Sequence, residues 1–277
     1  MIFAMTDCYA VIGNPIAHSK SPVIHAAFAR QCGQDIRYEA ILAPLDGFRA
    51  AVEAFRQAGG KGMNVTVPFK LEALELADQP TERARQAGAV NTLRFDKDGV
   101  FGDNTDGIGL VRDIRDRLGF LLRGRRILIL GAGGAARGVV LPLLEEGPAQ
   151  LAIANRSVAK AEALKTQFAP FGEMAAGGFA DFADGEFDLV INATSASLGG
   201  EGVNLPAGLF ASGSLAYDMV YGKGTTPFMA DAQRLGATQV ADGLGMLVAQ
   251  AAESFYLWRG LRPDTVPVMA MLQEPSL

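Results

Sequence analysis

Cysteine and histidine are scarce in this chain, and their scarcity limits the kinds of site it can hold. The 277 residues include two cysteines, Cys8 and Cys32, and two histidines, His18 and His25. The cysteines have neither a CxxC spacing nor a secretory context, so we expect a reduced, cytoplasmic protein. The four residues also lack the spacing of a zinc site, and we therefore expect no metal ion.

Excess positive charge and long apolar runs are also missing. The chain carries 25 Lys and Arg against 30 Asp and Glu, a formal net charge of −5. This balance argues against nucleic-acid binding, which clustered cationic side chains drive. No apolar run approaches the length of a membrane span, and the opening MIFAMTDCYA lacks the features of a signal peptide. We therefore expect neither a nucleic-acid nor a membrane partner.

Short β-rich apolar runs alternate with amphipathic helical stretches from end to end, which predicts an α/β fold with mostly parallel sheets. In the first third, strands are predicted at 8–13, 36–43 and 62–68, and helices at 21–32, 45–58, 69–77 and 81–90. The DKDG turn at 96–99 lies between alternating apolar residues and predicts a hairpin.

A second α/β series follows residue 107, where we place a domain boundary. A helix with Ile108, Val111, Ile114 and Leu118 on one face leads into it. Strands are then predicted at 126–131, 151–155, 188–194, 215–220 and 237–243, and helices from 134 and at 157–168, 226–235 and 244–258.

The segment RILILGAGGAARG has the signature of a dinucleotide-binding loop. Gly131, Gly133 and Ala136 follow an apolar strand and open a predicted helix at the G-x-G-x-x-A spacing. Gly131 permits a tight turn, Gly133 lets a pyrophosphate approach the backbone, and the helix N-terminus supplies N–H groups to the anion. The alternative is a glycine-rich turn that binds nothing.

The residues after the next strand favour NADP over NAD. An NAD site places Asp or Glu there to bind the ribose 2′-hydroxyl, whereas this chain has Asn155, Arg156 and Ser157, with Lys160 one turn further on. Arg156 suits a 2′-phosphate and can stack on adenine. The alternative is that Arg156 and Lys160 are ordinary solvated surface cations.

Several polar residues of the N-terminal part lie at predicted strand ends, where ligands of parallel sheets bind. They are Ser19, Ser21, Thr66, Lys70, Asn91 and Asp106. Lys70 is in the first turn of a predicted helix, where the dipole disfavours a cation, and this points to a functional role. Ser21 and Asp106 each have a local alternative as helix N-caps.

Taken together, these segments resemble the shikimate dehydrogenase family. The resemblance rests on GNPIAHSKSP, NVTVPFK, GAVNT, DNTDG, GAGGAARG, NRS, NATS, YDMVYGKGTTPF and DGLGMLVAQA, in the family's order and approximate spacing. It implies NADPH-dependent interconversion of 3-dehydroshikimate and shikimate, a step toward aromatic amino acids. It also implies a substrate domain of residues 1–106 completed by 244–277, and a Rossmann-type NADP domain of residues 107–243.

The resemblance also implies roles for individual residues. Lys70 and Asp106 match the family's catalytic pair. The matching substrate-binding positions are Ser19, Lys20, Ser21, Thr66, Asn91, Tyr221 and Gln250. The matching cofactor-binding positions are Glu82, Gly131, Ala132, Gly133, Gly134, Ala135, Asn155, Arg156, Ser157, Val158, Ala159, Lys160, Met219 and Gly243.

Two other functions remain open at this point. One is a related quinate/shikimate dehydrogenase that uses NAD, against which Arg156 and the intact NVTVPFK weigh. The other is a noncatalytic nucleotide-binding protein on the same scaffold, which has no need of the Lys70 and Asp106 pair. A solvent-facing position is the alternative for Gln250. We expect a monomer or a homodimer.

Overall fold

The computed structural model describes residues 6–194, 203–222 and 224–274. The chain divides into a first unit, Met1–Gly109 with Val248–Leu277, and a second unit, Leu110–Leu247. Each unit has its own sheet and its own hydrophobic core. No helix in the described ranges is long and apolar enough to span a membrane.

The first unit begins as a βαβ series and ends as a hairpin. In chain order its elements are β1 (Asp7–Gly13), α1 (Ser21–Gln31), β2 (Ile36–Leu42), α2 (Phe48–Gln57), β3 (Gly62–Val65), α3 (Lys70–Leu76), β4 (Gln79–Pro80), α4 (Glu82–Ala87), β5 (Thr92–Asp96), β6 (Gly99–Asp103) and α5 (Asp106–Arg112), the last of which crosses into the second unit.

The strands of the first unit form one sheet in the order β2-β1-β3-β5-β6-β4. β1 pairs parallel with β2 and β3, while β5 runs antiparallel to β3 and β6. Phe48, Val52 and Phe55 recur at helical spacing on α2, and all three are buried. The parallel pairing of β1 and β3 brings their carboxyl ends side by side, where the polar motifs begin.

The second unit is a parallel sheet with helices between its strands. After a π-helical turn at Asp113–Arg117 come β7 (Arg126–Leu130), α6 (Gly134–Glu145), β8 (Gln150–Ala154), α7 (Val158–Phe168), β9 (Met174–Gly177), a 3₁₀ helix (Phe179–Phe182), β10 (Phe187–Asn192), β11 (Phe210–Asp218), α8 (Pro227–Arg234) and β12 (Gln239–Ala241). The chain then continues into α9 (Leu244–Arg259) and α10 (Val266–Gln273).

The sheet order of the second unit is β9-β8-β7-β10-β11-β12, and every pairing is parallel. Counted from β7, this is the 3-2-1-4-5-6 order of a dinucleotide-binding fold. Strand order reverses between β7 and β10, and ligands of such sheets bind beyond the carboxyl ends of the strands there. The predicted α/β class with parallel-rich sheets is confirmed.

Several elements differ from the sequence prediction. β9 and α10 are among those that were not predicted. The strand segment MAAG has no β-branched residue, and the short helix segment VPVMAMLQ shows no apolar stripe because nearly all of its residues are apolar. The helix expected through Leu118 ends as an α-helix at Arg112 and continues as the π-helical turn. The unit boundaries fall after Gly109 and Leu247, inside α5 and α9, rather than after residues 106 and 243.

Candidate active site

Lys70 and Asp106 form an ion pair in the first unit. Lys70 Nζ lies 2.5 Å from Asp106 Oδ2, and the two side chains are 30% and 24% exposed. Lys70 is the first residue of α3, so the carboxylate offsets the unfavourable position of a cation at a helix N-terminus. Asp106 is the first residue of α5, and its carboxylate holds two side chains, because Oδ2 accepts from Lys70 and Oδ1 accepts from Asn91.

The amide of Asn91 is held in one orientation. Its Oδ1 accepts hydrogen bonds from the backbone N–H of Thr105 and from the Thr92 hydroxyl, each at 2.9 Å. Because a backbone N–H can only donate, this oxygen must face Thr105. The NH₂ group is thereby directed at Asp106 Oδ1, 2.8 Å away. Asp106 is thus bound by Asn91 on one oxygen and by Lys70 on the other.

Asn64 lies at the centre of a buried polar network that reaches Asn91 through Thr92. Sequence reasoning did not name Asn64. Tyr38 donates to Asn64 Oδ1 at 2.7 Å, and Asn64 Nδ2 donates to the Ser254 and Thr92 hydroxyls at 2.9 and 3.1 Å. Thr92 in turn donates to Asn91. An asparagine inside the otherwise apolar, fully buried strand β3 was the available signal.

Gln250 lies on α9 beside this network. Its Oε1 accepts from the Thr105 hydroxyl at 3.3 Å, and its side chain is half-buried, so the solvent-facing alternative is wrong. A Cβ on Gly109 would lie 2.7 Å from the Gln250 backbone nitrogen. Only glycine at this point of α5 allows the approach that places Gln250 next to Thr105.

Ser19 and Lys20 lie in the loop between β1 and α1, and Ser21 is the first residue of α1. Lys20 occupies the N-cap position of α1, Ser21 lies inside the helix, and Ser19 Oγ accepts from the Ser21 N–H at 3.3 Å. The local alternative of Ser21 as the helix cap is therefore wrong.

Thr66 follows β3, and its N–H donates to the Ile12 carbonyl at 3.0 Å. A Cβ on Gly13 would meet Thr66 Cγ2 at 2.5 Å, so glycine keeps the ends of β1 and β3 together. Thr66 therefore lies at the strand end from which the Ser19 loop departs.

His25 is fully buried in an aromatic cluster of the first unit. Its ring stacks on Tyr38 with centroids 4.2 Å apart and lies 5.3 Å from the ring of Trp258. Burial lowers the pKa of His25 to about 3, with Asn64 acting in the opposite direction. Burial also raises the pKa of Tyr38 well above its usual value. Both groups are neutral at pH 7; His25 acts through ring packing, and Tyr38 through packing and its hydrogen bond to Asn64.

A cavity of about 660 Å³ lies at the carboxyl ends of β7, β8, β9 and β10 in the second unit. Gly131 to Ala135 form its floor at the N-terminus of α6. Gly131 has a φ of +107°, and a Cβ there would lie 3.1 Å from Thr194 and 3.2 Å from the Ala193 backbone. A Cβ on Gly133 or Gly134 would meet nothing within 4 Å, so these glycines leave open space before the helix N-terminus.

The segment after β8 forms another wall of this cavity. Asn155, Arg156, Ser157 and Lys160 line it, whereas Val158 and Ala159 are exposed at the start of α7 without lining it. Asn155 Nδ2 donates to the Ser157 carbonyl at 2.9 Å, which closes the turn. Within the described ranges, no carboxylate lies within ion-pair distance of Arg156 or Lys160. Both cations are available to an anionic ligand.

Met219 and Gly243 lie in contact at the ends of β11 and β12. A Cβ on Gly243 would fall 2.2 Å from the Met219 carbonyl oxygen, and the Gly243 N–H donates to the Val220 carbonyl at 3.1 Å. Asp218 fixes the segment before them, because it accepts from Asn192 at 3.0 Å and from Thr226 at 2.6 Å.

Tyr221 follows in the same segment. It is 39% exposed, and burial of the remainder raises the pKa of Tyr221. Its phenol is therefore protonated at pH 7 and able to donate a hydrogen bond.

Sequence reasoning also missed a cluster of the buried Asp113 and Tyr217 with the partly exposed Arg117. Tyr217 donates to Asp113 Oδ2 at 2.7 Å and accepts from the Met246 N–H at 3.2 Å, while Arg117 pairs with Asp113. A Cβ on Gly245 would lie 2.0 Å from an Asp113 carboxylate oxygen. The cluster holds the first turn of α9, directly after Gly243.

One predicted cofactor-binding residue and one predicted substrate-binding residue do not lie in the same unit as the rest of their set. Glu82 lies in the first unit, where its exposed carboxylate accepts from Gln86 of the same helix at 2.8 Å, whereas the other predicted cofactor residues lie in the second unit. Tyr221 lies in the second unit, and the other predicted substrate residues lie in the first.

Family models match three stretches of the chain. Residues 11–93 match the shikimate dehydrogenase substrate binding domain, residues 114–199 match shikimate / quinate 5-dehydrogenase, and residues 243–273 match the shikimate 5′-dehydrogenase C-terminal domain. The matches therefore cover parts of both units.

Whole-chain relatives agree with these matches. The shikimate dehydrogenase (NADP(+)) of Nitrosospira multiformis is 64% identical over 270 residues, 98% of each chain. Among solved structures, an Ael1 enzyme from Pseudomonas putida is 51% identical with a TM-score of 0.93, covering 97% of this chain and 99% of that one. Shikimate 5-dehydrogenase from Thermus thermophilus, in complex with NADP(H) and shikimate, is 35% identical with a TM-score of 0.84, covering 95% and 97%. This chain belongs to the shikimate dehydrogenase family.

Proposed function

We propose that this protein catalyses the reversible NADPH-dependent reduction of 3-dehydroshikimate to shikimate. The observation that carries the proposal is the Lys70 and Asp106 ion pair, held in place by the oriented amide of Asn91. A protein that only bound a nucleotide would not need a partly exposed lysine held by a carboxylate that is itself held by Asn91.

The substrate would be held by polar groups of the first unit. Ser19, Lys20 and Ser21 supply hydroxyl groups, a cation and N–H groups suited to a carboxylate. Thr66, Asn91 and Gln250 lie at the strand ends and on α9 with side chains suited to ring hydroxyls. Tyr221, in the second unit, stays a prediction for substrate binding.

The cavity of the second unit fits NADP. Gly133 and Gly134 leave open the space before α6, into which a Cβ would project, so that a pyrophosphate can meet the backbone N–H groups there. Arg156 and Lys160 have no carboxylate partner within the described ranges and suit a 2′-phosphate. Met219 and Gly243 would lie near the nicotinamide, and Glu82 stays a prediction. NADPH supplies the hydride that reduces the ketone.

Lys70 would deliver the proton that the reaction requires. Addition of hydride to the carbonyl carbon places negative charge on the carbonyl oxygen, so a donor must be present at that atom. The Nζ group of Lys70 can supply the proton and, before that, a positive charge. Asp106 holds Nζ in one position through its 2.5 Å contact, and Asn91 limits the movement of Asp106. In the oxidative direction Lys70 would take the proton back from the substrate hydroxyl.

A panel of substrates and cofactors tests the proposal. Purified protein is given shikimate or quinate with NADP or NAD, and formation of the reduced cofactor is followed by its absorbance. We expect the highest kcat/KM with shikimate and NADP. A higher value with quinate and NAD would favour the related quinate enzyme, and binding of both ligands by calorimetry without turnover would favour a noncatalytic protein.

Cellular location and assembly belong to the same proposal. Cys8 and Cys32 are both free thiols, consistent with the proposed cytoplasmic location. A monomer or homodimer stays the prediction for the oligomeric state.

A further inference from the structure

Phe179 is the one aromatic side chain that lines the cavity of the second unit among the residues described. It begins the 3₁₀ helix that follows β9, and it is half-buried against the core that also contains Phe187 and Phe228. Most of the lining consists of glycine, alanine and polar or charged residues. Phe179 therefore offers a planar apolar surface that the rest of the cavity lacks.

The backbone around Phe179 is tied to the loop that carries Arg156. The N–H of Asn155 donates to the Gly177 carbonyl at 3.0 Å, which joins the ends of β8 and β9 directly before the two segments. The N–H of Gly178 donates to Asp181 Oδ2 at 2.7 Å, which closes the turn that presents Phe179. Arg156 and Phe179 therefore line the cavity from neighbouring strand ends.

The chemistry of NADP links these two residues. Its 2′-phosphate is attached to the ribose that also carries the adenine, so a phosphate bound by Arg156 and Lys160 leaves the base within one sugar of them. Stacking on an aromatic side chain favours the transfer of a base from water into a protein site. Among the described residues that line this end of the cavity, Phe179 is the one with an aromatic side chain.

We propose that Phe179 forms the apolar wall against which the adenine ring of the cofactor packs. This inference rests on the proposed function, because it assumes that the cavity takes NADP. The proposal assigns the two parts of NADP binding, to the adenine and to the 2′-phosphate, to different residues. Phe179 contacts the base, which NAD and NADP share, whereas Arg156 contacts the 2′-phosphate, which only NADP has.

Phe182 supplies a matched control. It lies in the same 3₁₀ helix, packs against the same core and meets Phe187 edge to face with centroids 6.0 Å apart, but it does not line the cavity. Phe179→Ala and Phe182→Ala are both expected to lower Tm through lost packing. Phe179→Leu keeps apolar volume without the aromatic face, and Phe179→Tyr keeps that face.

The test measures Kd for NADP, NAD and 2′,5′-ADP by calorimetry on the full-length wild type and each variant. We expect Phe179→Ala to raise all three Kd values by a similar factor, about tenfold. Phe179→Leu should give a smaller rise, and Phe179→Tyr and Phe182→Ala should stay within about twofold of wild type. KM for shikimate should be unchanged in every variant.

Each remaining outcome counts against one proposal. An unchanged Kd in Phe179→Ala, an equal rise in Phe182→Ala, or a rise confined to NADP and 2′,5′-ADP would overturn the role of Phe179. If Phe179→Ala does not fold, wild-type affinity in Phe179→Leu would overturn it instead. If the wild type binds none of the three nucleotides, the proposed function itself fails, independently of Phe179.

Discussion

Replacement of His25 by phenylalanine is predicted to reduce the loss of stability of the first unit at low pH. The ordinary pKa of histidine is 6.5, and burial lowers that of His25 to about 3. In the unfolded chain the ring takes up a proton as the pH falls through about 6.5, whereas the folded protein takes it up only near pH 3. The contribution of His25 therefore favours folding less as the pH falls between these values.

The magnitude follows from the size of the pKa shift. Each unit of difference is worth about 1.4 kcal/mol, so protonation of His25 in the unfolded state lowers the free energy of unfolding by about 2 kcal/mol between pH 7 and pH 5. Phenylalanine is close to histidine in size and suits the surrounding Tyr38, Phe28 and Phe255 rings. The difference between His25→Phe and wild type should therefore grow by about 2 kcal/mol over this range.

Urea denaturation at several pH values measures this difference. Trp258 is the only tryptophan of the chain and lies 5.3 Å from His25 in the first unit, so its fluorescence reports the unfolding of that unit. His18→Gln, at an exposed position, serves as the control and should follow the wild type. Parallel pH profiles for His25→Phe and wild type between pH 7 and pH 5 would refute the neutral, buried assignment.

Three further predictions concern the second unit. Arg156→Ala should raise Kd for NADP by about 10- to 100-fold and raise Kd for NAD much less, because only NADP carries the 2′-phosphate. Calorimetry measures both values, with Lys165→Ala as a control outside the cavity. An equal rise in Kd for the two cofactors would contradict this prediction. Gly131→Ala should lower the free energy of unfolding by about 1–3 kcal/mol, because Gly131 has a φ of +107°. Gly134→Ala should leave stability unchanged and weaken NADP binding, because its Cβ would project into the open space of the cavity. Thermal unfolding that showed Gly134→Ala to be less stable than Gly131→Ala would contradict this prediction. Tyr217→Phe should cost about 1–3 kcal/mol, measured by denaturation, because Asp113 and the Met246 N–H lose a buried partner; an unchanged midpoint would refute this.

Local sequence patterns were sufficient for most of the fold. Apolar strands, amphipathic helices and the loop from Gly131 to Gly134 each depend on residues close together in the chain. β9 was not predicted from the sequence, because its pairing with β8, and not its composition, makes it a strand. The predicted start of α1 at residue 21 matches the structure, although Lys20 rather than Ser21 takes the N-cap position.

The candidate site was predictable only in part. Lys70, Asp106 and Asn91 were named from motifs, and the structure brings the three together in the first unit. Two buried networks, around Asn64 in the first unit and around Asp113 in the second, were not named, because their contacts join residues far apart in the chain. Asn64 contacts Ser254 across 190 positions, and Tyr217 contacts Asp113 across 104. The polar Asn64 in an apolar strand was a local signal, but no local pattern identifies its partners.

The proton-donor role of Lys70 is tested most directly by kcat for shikimate oxidation in Lys70→Ala, Asp106→Asn and the double variant. We predict that Lys70→Ala lowers kcat by about 10²- to 10⁴-fold while Kd for shikimate stays within a few-fold of wild type. Because Asp106 acts largely through Lys70, the double variant should lose little more than Lys70→Ala alone. Undiminished turnover in Lys70→Ala would contradict the mechanism.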